Sequence, residues 1–257
     1  FMGCHPMLNA MNGFAAPAVR LENLTVSYDR KPAVHHLSGV FEKGSLTAVA
    51  GPNGGGKSTL LKALAGILRA DEGSIQIAPD CHPVAYLPQS TELQRDTPLT
   101  VAELVASGFW NKSGIWGGIG KQSRALVTNA LAQVGLEGFE KRSLSSLSLG
   151  QLQRMLFARL IIQDAPLILL DEPFAAVDER TISRLHDLIM SWHQAGRTII
   201  CVLHDLDMIR HSFKHCLLLA RENIAWGLSD EVLLPDKLTI AGNFRGVWPA
   251  RVEPCLQ

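Results

Sequence analysis

Nine consecutive residues, Gly51-Pro52-Asn53-Gly54-Gly55-Gly56-Lys57-Ser58-Thr59, constrain this chain more than any other stretch. The apolar run 46–50 ahead of them reads as a buried strand, and residues 60–65 after them read as a helix. Strand, glycine-rich loop and helix is the context in which such a sequence cradles phosphate. Successive backbone N–H groups must reach the anion, and side chains would block that approach, so the loop is made of glycine. The helix start adds further N–H groups and the positive end of its dipole. Lys57 supplies a mobile cation for the β- and γ-phosphates of a nucleotide, and the Ser58 hydroxyl suits magnesium. A merely flexible loop is the alternative, and it leaves the Lys-Ser pair without a reason.

The remaining composition bounds the class. The chain has 257 residues and is 47% apolar, enough for one large α/β domain or for a core carrying an inserted subdomain. Its 24 basic and 24 acidic residues cancel, so bulk charge argues for neither nucleic acid nor an anionic membrane surface as a partner. The cysteines at 4, 81, 201, 216 and 255 form no Cys-x-x-Cys pair and read as reduced, structural thiols of a cytosolic protein. No stretch approaches the roughly 18–20 apolar residues of a membrane-spanning helix. Residues 1–17 lack the basic and apolar regions of a secretory signal and read as a loose or expression-derived tail.

Periodicity organises the rest of the chain. Residues 19–26 and 33–41, separated by Asp29-Arg30-Lys31-Pro32, read as an antiparallel strand pair ahead of the loop strand. Residues 75–77 and 84–87 are further short strands, punctuated by Pro79, Pro83 and Pro88. From 98 to 147 the character becomes helical, with helical spacing at 99–105 and 123–134 around a glycine-rich loop. The near-continuous apolar runs 167–170 and 198–203 then read as parallel strands covered on both faces.

The strand 167–170 ends in Asp171-Glu172-Pro173. Beside a phosphate loop, Asp171 suits a magnesium shell and Glu172 suits orienting and polarising the water that attacks the γ-phosphorus. Two acids at a strand end are otherwise a solvated turn. Leu147-Ser148-Leu149-Gly150-Gln151 opens an amphipathic helical segment at 152–162, where Ser148 reads either as a plain helix cap or as part of a second anion site at a helix start.

Together, in this order, these motifs resemble ATP-binding cassette (ABC) proteins over residues 19–234. The resemblance implies an α/β fold: a P-loop NTPase, RecA-like, with a parallel-sheet core, an N-terminal antiparallel β subdomain and an inserted α-helical signature subdomain. It implies one ATPase domain at 18–234, with the helical subdomain at about 90–163 and a C-terminal extension at 235–257. ATP and Mg²⁺ are the implied cofactors. Ser148 and Gly150, followed by Gln151, match the signature that contacts the γ-phosphate held by an opposite subunit. Tyr28 matches the adenine-stacking aromatic, Gln89 the glutamine that reaches metal and attacking water, Val177-Asp178 the loop joining the two active sites, and His204 the histidine that contacts the γ-phosphate. Tyr28 also reads as a half-buried strand residue, Gln89 as a turn residue after Pro88, and His204 as an ordinary strand-end histidine. His35, His36, His211 and His215 have no metal-ligand spacing and read as surface or packing residues.

Two positions depart from the family pattern. Gly55 stands where serine is common, which removes a hydroxyl but keeps the backbone donors, so little loss is expected. Leu149 replaces the first signature glycine, and a φ above zero there would strain it by about 1–2 kcal/mol.

The resemblance implies a homodimer that sandwiches two ATP molecules, closes on binding and reopens after hydrolysis. One cassette, with Leu147 only 58 positions after Gln89, favours a transporter subunit at the cytoplasmic face of the cell membrane over cassette ATPases of DNA repair or translation. Its partners would be a transmembrane permease and, indirectly, a substrate-binding protein, with no nucleic acid. Phe109, Trp110, Ile115 and Trp116, among the glycines of 108–120, read either as a permease-facing patch or as core aromatics. The stretches 96–101, 171–178 and 217–221 followed by 224–227 look most like bacterial zinc and manganese importers, zinc favoured, with iron-chelate, haem or cobalamin importers as the alternative. A GTPase would need an Asn-Lys-x-Asp guanine reader, and Asn111-Lys112 continues as Ser113-Gly114.

Overall fold

The computed structural model describes residues 17–28, 31–89, 98–109 and 121–243, and the side chains of Tyr28 and Lys121 lie outside what is described. Two sheets organise the chain. β1 (Pro17–Tyr28), β2 (Lys31–Glu42) and β4 (Glu72–Ile77) form an antiparallel sheet in the order β2-β1-β4. The expected strand pair is therefore a trio, because the run at 75–77 pairs with β1 at Leu21↔Ile75 and Val19↔Ile77.

The second sheet has the order β5-β6-β7-β3-β8-β9, built from β3 (Leu46–Ala50), β5 (Val84–Leu87), β6 (Leu167–Asp171), β7 (Thr198–Val202), β8 (His215–Ala220) and β9 (Glu222–Leu228). All pairings are parallel except β8 with the edge strand β9. β3, β6 and β7 are buried at every residue, as strands covered on both faces must be, which is why they read as apolar runs without alternation.

Period-2 geometry divides their side chains between two cores. Val49, Leu167, Leu169, Ile200, Val202, Leu217 and Leu219 face the antiparallel sheet and the helix α1 (Lys57–Leu64), which contributes Leu60, Leu61 and Leu64. Ala48, Ile168, Leu170, Ile199, Cys201, Cys216 and Leu218 face the other way, onto a core shared with the helices Val101–Ala106, Lys121–Gln133 and Leu149–Gln163. Those three helices also pack on one another, the arrangement expected for the helical insertion.

The helix Leu149–Gln163 departs from the amphipathic reading. Leu152, Gln153, Met155, Leu156, Phe157, Ala158, Leu160, Ile162 and Gln163 are all buried, so neighbours cover most of its circumference and only its first turn is open. A helix packed between two other helices and strand β5 has no solvent face to mark. Leu149 escapes the strain that a positive φ would impose. It is the first residue of this helix, is absent from the positive-φ residues, and carries no left-handed strain.

Phe109 is partly buried against the core, which favours the packing reading for that residue, while Trp110, Ile115 and Trp116 lie outside the described residues, as do 1–16 and 244–257. The helix Pro235–Gly242 begins the C-terminal stretch. No helix among the described residues is long and apolar enough to cross a membrane.

Phe157, fully buried and stacked on Trp192 with ring centroids 6.0 Å apart, joins the helix Leu149–Gln163 to the helix Glu179–Gln194. Phe157→Ala is expected to remove about 3–5 kcal/mol of stability, read as a lower denaturant midpoint.

Candidate functional site

The strand order places the carboxyl ends of β5, β6, β7 and β3 side by side, and each releases a candidate residue there. Gln89 follows β5, Asp171 ends β6 with Glu172 next, His204 follows β7, and residues 51–59 follow β3. Crevices at the carboxyl ends of parallel strands are where open α/β sheets bind ligands.

The phosphate loop is fitted against the end of β8 and the start of β2. The Gly55 carbonyl accepts a hydrogen bond from the Arg221 N–H at 2.8 Å, and the Arg221 carbonyl accepts from the His35 N–H at 2.8 Å. Gly51 has φ +143°, and a Cβ there would lie 1.9 Å from the Leu219 carbonyl oxygen. Gly56, φ +90°, would bring a Cβ to 2.0 Å from the Ala33 carbonyl oxygen. Only glycine satisfies both demands. Position 55 is likewise tight, since a Cβ would stand 2.8 Å from Leu219 O and 2.9 Å from Pro52 O, so in this chain glycine fits the loop and a serine would have to displace backbone. Gly56 caps α1 without any side-chain acceptor, which leaves the first N–H groups of that helix available to an anion.

Lys57 folds back onto its own loop. It is buried, and its Nζ donates to the carbonyls of Gly51 and Pro52, each at 2.9 Å. Burial pushes its pKa below the usual lysine value, and the charges of Glu172 and Asp171 act in the opposite direction. Ser58 Oγ donates to Asp171 Oδ1 at 3.1 Å, and the Tyr86 hydroxyl stands 3.4 Å from Asp171 Oδ2. Asp171 itself is fully buried.

Glu172 gathers the neighbouring polar groups. Its Oε1 accepts from Gln89 Nε2 at 2.7 Å and pairs with His204 Nε2 at 2.9 Å. Oε2 has no hydrogen bond among the described residues. The backbone at Glu172 is left-handed, φ 50°. His204 is placed by the turn after it, where Asp205 caps the helix Leu206–Ser212 by accepting from the N–H groups of Asp207 and Met208. An apolar cleft of about 280 Å³, walled by Phe174, Ile182 and Met208, adjoins Glu172 and His204.

The remaining candidates lie on neighbouring surface. Ser148 caps the helix Leu149–Gln163 in a reciprocal capping box, accepting from Gln151 N–H at 3.2 Å while its own N–H donates to Gln151 Oε1 at 3.0 Å, and the residue is exposed. Gly150 lies against Ala176 and Val177. Asp178 caps the helix Glu179–Gln194 through Thr181, whose hydrogen bonds hold the Asp178 carboxyl below the usual aspartate range. Among the described residues, the hydrogen bonds of Ser148, Gln151 and Asp178 stay within their own helix starts and do not reach the Lys57–Asp171–Glu172 cluster of the same chain. Asn53 and Gly54 are exposed, while Pro52 and Thr59 are half-buried. The backbone of Tyr28 pairs with Lys31, and its side chain lies outside the described residues.

Two further residues join the site without a motif to mark them. Tyr86 reads in the sequence only as a strand residue, and Gln153 only as a position in a helix. Gln153 is fully buried and donates to the Pro173 carbonyl at 2.8 Å. No sequence signal identifies either, because their partners are 85 and 20 positions away. Cys201 and Cys216 are buried thiols whose pKa values burial raises, Cys216 to about 12, so neither supplies a thiolate. Among the described residues no cluster of His, Cys, Asp and Glu could hold a metal ion by itself.

A family model described as ABC transporter matches residues 34–175. The chain is 33% identical to the manganese transport system ATP-binding protein MntB of Listeria monocytogenes, over 87% of this chain and 95% of that one. It is 36% identical to the zinc transport system ATP-binding protein TroB of Treponema pallidum, over 82% of each. The fold superposes on a metal-chelate type ABC transporter solved in an inward-facing conformation with a TM-score of 0.77 at 28% identity, covering 89% of this chain and 90% of that one.

The loop geometry separates two glycines. Gly56→Ala, which meets Ala33 O, is expected to weaken nucleotide binding at least about tenfold, the effect of roughly 1.4 kcal/mol. Gly54→Ala meets no atom of the described residues within 4 Å. It should cost the left-handed strain of about 1–2 kcal/mol in stability without displacing backbone, so the thermal unfolding midpoint should fall less than for Gly56→Ala, while fluorescent-nucleotide titration reads what its methyl group does to the anion's approach.

Proposed function

Because the chain belongs to the ABC transporter family, we propose that it is the ATP-hydrolysing subunit of a bacterial importer for a divalent transition metal, zinc or manganese, working on a separate membrane permease. The chain is an ATP-binding cassette ATPase. The observation that carries the mechanism is the shared carboxylate oxygen of Glu172, held by Gln89 from one strand end and His204 from another.

Residues 51–59 bind the phosphates through backbone N–H groups and the start of α1, with Lys57 exchanging its two loop carbonyls for phosphate oxygens. The donors facing the loop, a serine hydroxyl, a buried aspartate and a glutamine amide, suit a hard cation, and Ser58, Asp171 and Gln89 would hold Mg²⁺, which neutralises phosphate charge when bound. Glu172 orients the attacking water with Oε2, its other oxygen being fixed by Gln89 and His204. His204 contacts the γ-phosphate side of the site, and Tyr28 stacks on adenine.

Ser148, Gly150 and Gln151 complete the site of a second copy, and Asp178 lies on the loop that joins the two. Their separation from the phosphate loop within one chain supports this division, because one chain supplies only half of the contacts. ATP binding closes the dimer, and hydrolysis with release reopens it. The permease carries the movement across the membrane and, with a substrate-binding protein, selects the metal, so this subunit sits at the cytoplasmic face of the membrane through that permease. The similarity to MntB and TroB supports manganese or zinc and leaves the iron-chelate alternative second.

Glu172→Gln should lower ATP turnover by about 10²–10⁴-fold, the scale of lost acid–base assistance, and should accumulate an ATP-dependent dimer on size-exclusion chromatography. Turnover at the unmodified rate would remove Glu172 from this role. Cargo is tested by deleting the subunit: growth should fail on zinc- or manganese-depleted medium and recover with the missing metal, whereas failure only on iron depletion favours the chelate reading.

A further inference from the structure

We infer that Gln153 is a positioning residue for the ATPase reaction, tying the helix Leu149–Gln163 to the loop that carries Glu172. The inference rests on the role proposed for Glu172 and deepens it.

The loop from 172 to 176 has an unusual backbone. Glu172 and Ala176, neither of them glycine, both take left-handed conformations, φ 50° and 60°. Such conformations persist where surrounding structure imposes them, and they collect at functional sites. The same helix touches the loop at both of these places. Gln153 Nε2 donates to Pro173 O at 2.8 Å and lies 3.5 Å from Glu172 O. One turn earlier, a Cβ on Gly150 would stand 2.9 Å from Ala176 O. A glycine therefore admits one end of the loop and an amide grips the other.

The amide is retained at a cost. Gln153 has no solvent exposure, and its Oε1 is buried without a hydrogen-bond partner among the described residues. A leucine or methionine would fill the same space without leaving an acceptor unpaired, so packing alone does not explain the residue. What glutamine adds is the N–H that holds the two carbonyls following the carboxylate. Fixing them fixes the direction of the Glu172 side chain, which Gln89 and His204 then meet at a single oxygen.

The helix also begins with Ser148 and Gly150, the residues proposed to close on the nucleotide of a second copy. Gln153 thus joins that helix to the loop bearing the chain's own Glu172. Gln153 touches the backbone of the loop and acts through Glu172.

A double-mutant cycle with Glu172→Gln tests this. Gln153→Met keeps the length and apolar body but removes the donor, and Gln153→Leu removes it with a shorter apolar side chain, so either can carry the cycle if the other folds poorly. Each is expected to lower kcat about tenfold, with KM for ATP and fluorescent-nucleotide affinity within about twofold. In the Glu172→Gln background the same change should cost less than about twofold in single-turnover hydrolysis, since the group it positions is gone. An equal loss in both backgrounds, or kcat within about twofold of the parent for both variants, overturns the inference. Unmodified turnover by Glu172→Gln alone would instead overturn the role of Glu172, and the two failures are thus read from different variants.

Discussion

A single buried carboxylate anchors this molecule. Asp171 ends β6 with no solvent exposure, and a charge in that position requires partners. It obtains them from both sides: Ser58 at the start of α1 reaches Oδ1, and the Tyr86 hydroxyl on β5 approaches Oδ2. Because β5 and β6 are paired in register and α1 is packed on the same core, the phosphate loop and the acidic strand end are held in one frame. Glu172, one residue on, inherits its position from that frame, and Gln153 completes it from the helix behind.

The second constraint is the closeness of backbone to backbone around the loop. Gly51, Gly55 and Gly56 lie so near to Leu219 O, Pro52 O and Ala33 O that Cβ atoms would overlap them. Chain segments from β8 and β2 therefore mould the loop before any nucleotide arrives. Lys57, folded onto its own loop carbonyls, balances the negative ends of those peptide dipoles and is positioned to release them for phosphate.

Much of this is legible in the primary structure because its determinants are local. The loop motif, the apolar runs 46–50, 167–170 and 198–203, and the cap residues Ser148 and Asp178 act within a few positions, and the strands and helix starts appear where they are expected. The helix Leu149–Gln163 is less legible. Its pattern gives no account of which faces are covered, since that depends on two helices and a strand elsewhere in the chain. Leu149 shows the same limit: a residue unusual for its motif proves unstrained, because the helix begins at it rather than after it.

The amino-acid order by itself determined the fold class, the family and the chemistry types on offer: a loop for phosphate, acids for metal and water, a second helix start for another anion. Those follow from residue types at short spacing, where propensity and sterics decide. Tertiary structure alone decided how these parts meet. It brought Gln89, Glu172 and His204 onto one oxygen, buried Lys57 against its own loop, placed Tyr86 beside Asp171, and set Gln153 against Pro173. These contacts join residues from 5 to 85 positions apart. Strand order and helix packing, not local preference, fix such distances.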